Sequence, residues 1–131
     1  MLRWVVAAGA MIALPTLALA QDPAAGEKAF KKCAPCHTIG EGAKIKIGAG
    51  GPPLNGVIGR KAGTYEAFAY SPALRNSGLT WDEATFKEYI ADPKTKVPGN
   101  KMGFPGLKDE LEIDDLYAYL SQFDEYGKKK Q

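Results

Sequence analysis

Two cysteines and a histidine carry the clearest chemistry in this chain. They stand in the sequence Cys33-Ala-Pro-Cys36-His37, a spacing typical of covalent attachment of a c-type haem. Each thiol can add to one vinyl group of the porphyrin, and the histidine that follows can serve as the proximal ligand of the iron. The pattern therefore predicts one haem, held by two thioether bonds.

Other chemistries can use the same pair of cysteines. In an oxidising compartment they form a disulfide or a redox-active thioredoxin-type pair. The thioredoxin type belongs in an alternating strand–helix pattern, which this sequence lacks. Structural zinc needs four nitrogen or sulfur ligands, whereas the chain has two cysteines and one histidine. The motif and its context favour haem over these alternatives.

Residues 1–20 are typical of a secretory signal peptide. Arg3 supplies a positive charge, an apolar run follows it as far as Pro15, and residues 18–20 are Ala-Leu-Ala, which matches the small-residue end of such signals. We expect cleavage after Ala20 and export to the periplasm. The alternative is an uncleaved membrane anchor, but a spanning helix needs about 20 apolar residues, and the proline shortens this run.

Residues 21–131 are predicted to form one domain. Loss of Arg3 lowers the 17 basic residues to 16, against 15 acidic residues, so the domain is nearly neutral and the charge does not favour nucleic-acid binding. The 15 glycines and 9 prolines indicate many turns. A domain of this size has a thin core, which a large flat cofactor would enlarge.

Helix-start patterns predict a small all-α domain. Asp22 and Ser71 each precede a proline, as an N-cap precedes the first helical position, and the first helix is expected to continue to Lys32. Residues 80–83, Thr-Trp-Asp-Glu, have the form of a capping box. The helix that begins there must end before Pro93.

A last helix is predicted from about Asp109. Apolar residues recur there at helical spacing, at Ile113, Leu116, Tyr117 and Leu120. Residues 38–51 and 94–108 are predicted loops, and residues 128–131, after Gly127, a disordered tail. The expected architecture is a few helices and long loops wrapped around one haem.

A count of ligands indicates how the iron site is completed. His37 is the only histidine, and after removal of residues 1–20 Met102 is the only methionine. A His/Met pair of axial ligands can therefore be built in one way, although outside a haem protein a loop methionine is ordinary packing. A thioether ligand raises the potential relative to two imidazoles. Two protein ligands also leave no iron position for substrate, which favours electron transfer over catalysis.

Pro52 is a candidate partner for His37. Proline has no N–H to donate, but its carbonyl accepts hydrogen bonds, and a haem histidine normally donates its second ring N–H to such an acceptor. The other interpretation is a turn proline without this role.

The chain resembles class I cytochrome c, especially the bacterial cytochrome c2 type and the mitochondrial form. The resemblance extends over residues 22–126. Its matching segments are Gly26-x-x-x-Phe30, Cys33–His37, Gly51–Gly56, Gly59–Gly63, Phe68–Ser71, Trp81, Tyr89, Pro98–Met102, Phe104 and Leu116–Leu120. It implies a class I fold, in which the first and last helices cross at Gly26.

The resemblance also implies site residues. Those expected to contact the haem are Pro52, Arg60, Tyr70, Trp81, Tyr89, Phe104 and Leu116. Among these, the turn that contains Arg60 and the segment that contains Tyr70 are expected on the propionate side of the haem, as is Trp81. Tyr89 is expected near the methionine sulfur. Four lysines match a basic ring for partner docking, although by charge alone each is ordinary surface: Lys32, Lys94, Lys101 and Lys108.

The implied function is that of a soluble periplasmic one-electron carrier and not of an enzyme. The implied partners bind transiently and electrostatically to a monomer. They are membrane redox complexes, a bc1-type donor and an oxidase or photosynthetic reaction centre as acceptor. A haem peroxidase would need an open iron position and usually a second histidine. A ligand sensor would need Met102 to leave readily.

The methionine loop departs from the family pattern. Asn100 stands where the family usually has threonine, Gly103 replaces a bulkier apolar residue, and Pro105 replaces a small one. The 38–51 loop is also longer than in the mitochondrial form. We expect the changes around Met102 to alter loop mobility and alkaline ligand exchange, and not the identity of the ligand.

Overall fold

The structure, a computed structural model, describes residues 2–10, 21–48 and 50–130. Its helices are α1 (Pro23–Phe30), α2 (Pro72–Arg75), α3 (Glu83–Ala91), α4 (Pro93–Lys96) and α5 (Glu110–Ser121). No strand occurs in these ranges, where the β-structure consists of isolated bridges. The predicted all-α class is therefore confirmed.

The predicted signal segment is described only in part. Residues 2–10 are exposed and form no regular element, and the predicted cleavage site after Ala20 lies outside the described residues. None of the helices described has the length and apolar character that crossing a bilayer requires.

Helix α1 carries the chain directly into the cysteine motif. Its N-cap is Asp22, whose side chain accepts a hydrogen bond from the N–H of Ala24 at 3.0 Å. The helix ends at Phe30, two residues before the predicted end at Lys32. Turn hydrogen bonds then continue, and the N–H of His37 donates to the carbonyl of Cys33 at 2.9 Å.

The packing of α1 on α5 explains the glycine at position 26. These two helices share the most extensive helix–helix contact of the fold. A Cβ atom at Gly26 would overlap the carbonyl of Asp115 and would lie 2.6 Å from the Cβ of Tyr119. Only a residue without a side chain permits this approach, which in turn places the Phe30 ring 5.7 Å from that of Tyr119.

Helix α5 contributes four residues to the buried core. Ile113, Leu116 and Leu120 are buried as predicted. Tyr117 is only half-buried, and Tyr119, outside the predicted apolar set, is buried instead. The difference arises because Tyr119 lies against α1 at its glycine crossing.

The N-cap of α3 is Asp82, so the predicted capping box at Thr80 is wrong. The Asp82 carboxylate accepts a backbone N–H of the first turn at 2.8 Å. Thr80 instead pairs with Lys61 in an antiparallel bridge, and the N–H of Trp81 donates to the carbonyl of Arg60 at 2.9 Å. These contacts hold the backbone extended at the position where the predicted helix would begin.

Two further differences concern predicted loops and tails. The segment predicted as loop from Lys94 begins within α4, whose N-cap is Asp92. The predicted disordered tail is not found at 128–130, because Lys129 bridges Phe123 and the N–H of Lys130 donates to Gln122 at 2.6 Å. The tail prediction for residue 131 lies outside the described residues.

Candidate haem site

One nitrogen of the His37 ring is fixed by a proline carbonyl. The distance from His37 Nδ1 to the carbonyl oxygen of Pro52 is 2.8 Å. Because that oxygen can only accept, Nδ1 carries the hydrogen and Nε2 keeps its lone pair. Burial lowers the pKa of His37, which favours the neutral ring that a metal ligand requires. The imidazole is thus oriented and in the protonation state for ligation.

Gly51, the residue before Pro52, packs closely on the same His37 ring. A Cβ atom at Gly51 would lie 2.7 Å from His37 Nδ1. The N–H of Gly51 donates to the carbonyl of Cys36 at 2.7 Å, and the N–H of Leu54 donates to Thr38 at 2.9 Å. Backbone bonds therefore connect the 51–54 turn to the motif on both sides of the histidine.

The two cysteines lack the properties of a redox-active pair. Both are half-buried and are not joined in a disulfide. Burial, together with Cys36 and Glu112, raises the pKa of the Cys33 thiol to about 11, whereas a redox-active thiol has a lowered pKa. Within the ranges 2–10, 21–48 and 50–130, no group of three or more His, Cys, Asp or Glu side chains could hold a metal ion. The raised pKa of Cys33 does not favour the thioredoxin alternative.

The methionine sulfur has a hydrogen-bond donor. Met102 is half-buried against the core, and the hydroxyl of Tyr89 donates to its sulfur at 3.4 Å. The Tyr89 ring lies 4.8 Å from that of Trp81. Burial raises the pKa of Tyr89 to about 12, so the phenol keeps its hydrogen at neutral pH. The structure brings these three predicted site residues together.

Arg60 and Tyr70 form a second group around Tyr65. The Arg60 guanidinium donates to the carbonyl of Asn55 at 3.0 Å and lies 5.6 Å from the Tyr65 ring centroid. The Tyr70 hydroxyl accepts from the N–H of Tyr65 at 3.1 Å, which leaves its own hydrogen to donate. Burial lowers the pKa of Arg60 and raises that of Tyr70. Both side chains can donate to a carboxylate.

Apolar side chains supply the remainder of the predicted contact set. Leu116 is wholly buried, and Phe104 is half-buried on the core. Other half-buried apolar residues packed on the same core include Leu54, Ile58, Leu74, Leu79 and Met102. Such a set suits a flat apolar macrocycle, which would extend a thin core.

Three of the four predicted docking lysines have partners within the protein. Lys32 pairs with Glu112 at 2.5 Å. Lys94 Nζ donates to the carbonyl of Asn100 at 2.6 Å, and Lys108 Nζ donates to that of Ala91 at 2.6 Å. Lys101 is exposed.

Two buried asparagines of the site region were not among the predicted contact residues. Asn55 exchanges two hydrogen bonds with the backbone of Gly40, at 2.8 and 2.9 Å, and so ties the 38–51 loop to the turn after Pro52. Asn100 bonds three backbone groups of the methionine loop. Each stands beside a glycine, which indicates a turn but not the partners of its amide.

The groups at this site fit a c-type haem. Two thiols of one motif can attach it, an oriented imidazole and a thioether can ligate the iron, and hydrogen-bond donors are available for its propionate carboxylates. Residues 23–124 match the sequence model of the family described as Cytochrome c. The chain belongs to the cytochrome c family. Accordingly, it carries one covalently attached c-type haem at the Cys-x-x-Cys-His motif and is an electron carrier, not an enzyme.

Individual relatives agree with this assignment. Cytochrome c2 of Rhodoplanes tepidamans is 60% identical over 110 residues, which are 84% of this chain and 100% of that relative. Cytochrome c-550 of Bradyrhizobium diazoefficiens is 60% identical over 82% of this chain and 77% of its own length. A solved structure of cytochrome cH from Methylobacterium extorquens is 51% identical, with a TM-score of 0.68 over 76% of this chain and 97% of its own. Both the class I fold and the bacterial cytochrome c2 resemblance are therefore confirmed.

Proposed function

We propose that this cytochrome is an exported one-electron carrier whose haem iron is held between His37 and Met102. The observation that carries the proposal is the 2.8 Å contact of His37 Nδ1 with the Pro52 carbonyl. It leaves Nε2 as the only ring nitrogen that can ligate. Met102 supplies the second ligand, and its sulfur is held by the Tyr89 hydroxyl at 3.4 Å.

The chain's own residues make electron exchange fast and specific. Bound haem supplies an iron that accepts and returns one electron. Pro52 and Gly51 hold the imidazole in one orientation, and Tyr89 holds the thioether. Arg60, Tyr70 and Trp81 would lie around the haem propionates, and Phe104 and Leu116 would exclude water from the macrocycle. With both ligands fixed by other residues, little rearrangement accompanies a change of charge.

We further propose that lysines steer transient contact with membrane redox complexes. The set is Lys32, Lys94, Lys101 and Lys108, and the partners are a bc1-type donor and an oxidase or reaction centre. The net charge of the whole sequence is only +2, so steering depends on an asymmetric distribution of charge. Association rates should fall as ionic strength rises.

A pair of matched variants tests this docking surface. Lys101→Glu and Lys130→Glu change the net charge equally, and both positions are exposed, but only Lys101 adjoins Met102. Stopped-flow association with a purified bc1-type complex at low salt should slow much more for Lys101→Glu. Equal rates for the two variants, or rates independent of salt, would contradict the docking proposal.

Export is the third part of the proposal. It is supported by the signal pattern of residues 1–20 and by a family match that starts at residue 23. The intact mass of the soluble protein recovered from a periplasmic fraction should equal residues 21–131 plus one haem. A mass that includes residues 1–20 would show that the segment is retained.

A further inference from the structure

Asn100 is a buried polar residue in the loop before Met102. Its side chain is among the few polar ones in the core, with 4% relative exposure. The amide Nδ2 donates to the carbonyls of Pro93 at 2.8 Å and Val97 at 2.9 Å. The amide Oδ1 accepts from the N–H of Met102 at 2.9 Å. Both hydrogens and the oxygen of the amide are thus used within one loop.

These bonds link the methionine to a helix. Helix α4 has only four residues, and the carbonyls of Pro93 and Val97 already accept the N–H groups of Val97 and Asn100, at 3.0 and 3.1 Å. The Asn100 amide adds a second hydrogen bond to each of these carbonyls. The same side chain also fixes the backbone of Met102. Lys94, which lies in α4, adds a bond to the Asn100 carbonyl at 2.6 Å. The side chain of Asn100 therefore connects the backbone of α4 to the backbone of Met102 by hydrogen bonds.

Within the described residues, the chain just after Met102 has no comparable set of hydrogen bonds, although Phe104 is half-buried on the core. Gly103 and Pro105 are exposed, and a Cβ atom at Gly103 would meet nothing within 4 Å. The regular backbone contact resumes at Leu107, whose N–H donates to the carbonyl of Ile90 at 2.9 Å. The position of the Met102 backbone is thus determined mainly from its N-terminal side.

We propose that Asn100 is a positioning residue for Met102 and sets the rate at which the thioether leaves the iron. Buried amides bonded at every atom hold their partners in one arrangement, and removing this one takes away the acceptor of the Met102 N–H. This inference rests on the proposed His37/Met102 ligation. It assigns to Asn100 a role toward the ligand and none toward the propionates, because its amide has no hydrogen left to donate.

Displacement of Met102 by imidazole in the ferric holoprotein tests the proposal. Asn100→Ala removes all three bonds, and its displacement rate should rise about tenfold or more, because the Met102 backbone loses the bond that fixes it. Asn100→Asp keeps the acceptor for the Met102 N–H and loses both donors, so its rate should rise as well. If Asn100→Ala does not fold, Asn100→Asp carries the test.

Two control variants separate positioning from general stability. Asp22→Ala removes the cap of α1, whose bond to Ala24 is 3.0 Å, and should lower the free energy of unfolding without changing the displacement rate. Asn76→Ala removes an exposed asparagine and should change neither. An Asp22→Ala rate as high as that of Asn100→Ala would overturn the proposal, because loss of stability alone would then explain it.

The wild-type spectrum separates this proposal from the ligation on which it rests. Absence of the thioether-to-iron charge-transfer band in the wild-type ferric protein would overturn the Met102 ligation itself. A wild-type protein with the band, and Asn100 variants that exchange imidazole at the wild-type rate, would overturn only the role of Asn100. A band that weakens at lower temperature in the Asn100 variants than in wild type and both controls would support it.

Discussion

The hydroxyl of Tyr89 donates a hydrogen bond to the sulfur of Met102 across 3.4 Å. Tyr89 belongs to α3 and is buried beside Trp81, whereas Met102 belongs to a loop. With Met102 as the proposed iron ligand, the electron density that its thioether would offer to the iron depends on a residue of the buried core. This relationship makes the redox potential a property that a single substitution should change.

We expect Tyr89→Phe to lower the midpoint potential. Without the hydroxyl, the sulfur donates more electron density and stabilises the ferric iron. A net hydrogen bond contributes about 0.5–1.4 kcal/mol, which corresponds to a decrease of about 20–60 mV for one electron. Redox titration of the visible spectrum measures the change.

Tyr117→Phe is the matched control for that titration. Tyr117 is half-buried on α5, and its ring lies near Phe86 and Lys87. Its potential should remain at the wild-type value. A Tyr89→Phe potential equal to that of wild type would show that the hydroxyl does not act on the ligating sulfur.

Stability should also decline in alkali because of Tyr89. Burial raises its pKa to about 12 in the fold, against about 10 for an unfolded tyrosine. Between these values the unfolded chain loses the proton and the folded chain keeps it, so the unfolded state binds fewer protons and the free energy of unfolding falls as pH rises.

Denaturant unfolding of the reduced protein at a series of pH values measures this decline. Tyr89→Phe should show a shallower loss of stability between pH 10 and 12 than wild type. Identical slopes for the two proteins would mean that Tyr89 does not hold its proton in the fold.

Gly26→Ala should destabilise the protein. A Cβ atom at this position would lie 2.6 Å from the Cβ of Tyr119 and closer still to the Asp115 carbonyl, so α1 and α5 would have to separate. Overpacking of this kind costs about 1–3 kcal/mol, which exceeds the gain of about 1 kcal/mol from replacing a helical glycine by alanine. Thermal unfolding of the holoprotein checks the sign.

Gly103→Ala is the control for the added methyl group. No atom lies within 4 Å of a Cβ atom at this position, so its unfolding temperature should stay close to that of wild type. A Gly26→Ala protein as stable as Gly103→Ala would contradict the close crossing of the two helices.

Local sequence patterns predicted helix starts correctly where the backbone makes no bridge to a distant segment. Asp22-Pro23 and Ser71-Pro72 cap α1 and α2 as expected. Asp92-Pro93 has the same pattern and begins α4, but the glycines and prolines after it favoured a loop. At Thr80 the local pattern predicted a helix cap, but the residue instead forms a bridge with Lys61, which is distant in sequence.

The site was predicted to the extent that it depends on residue type and spacing. The cysteine motif and the Pro52 acceptor follow from the chemistry of the ligands, and Gly26 follows from a family resemblance. The amide bonds of Asn55 and Asn100 could not be predicted, because each depends on which backbone groups the fold brings within 3 Å. For the same reason the internal partners of Lys94 and Lys108 became visible only in the structure.

The visible spectrum of the reduced holoprotein, recorded with and without carbon monoxide, tests the central claim most directly. A closed His37/Met102 site predicts a sharp low-spin c-type spectrum that carbon monoxide leaves unchanged. Met102→Ala should open the iron and make the spectrum shift on addition of the gas. A carbon monoxide shift in the wild-type protein would contradict the closed site and would favour a ligand sensor over an electron carrier.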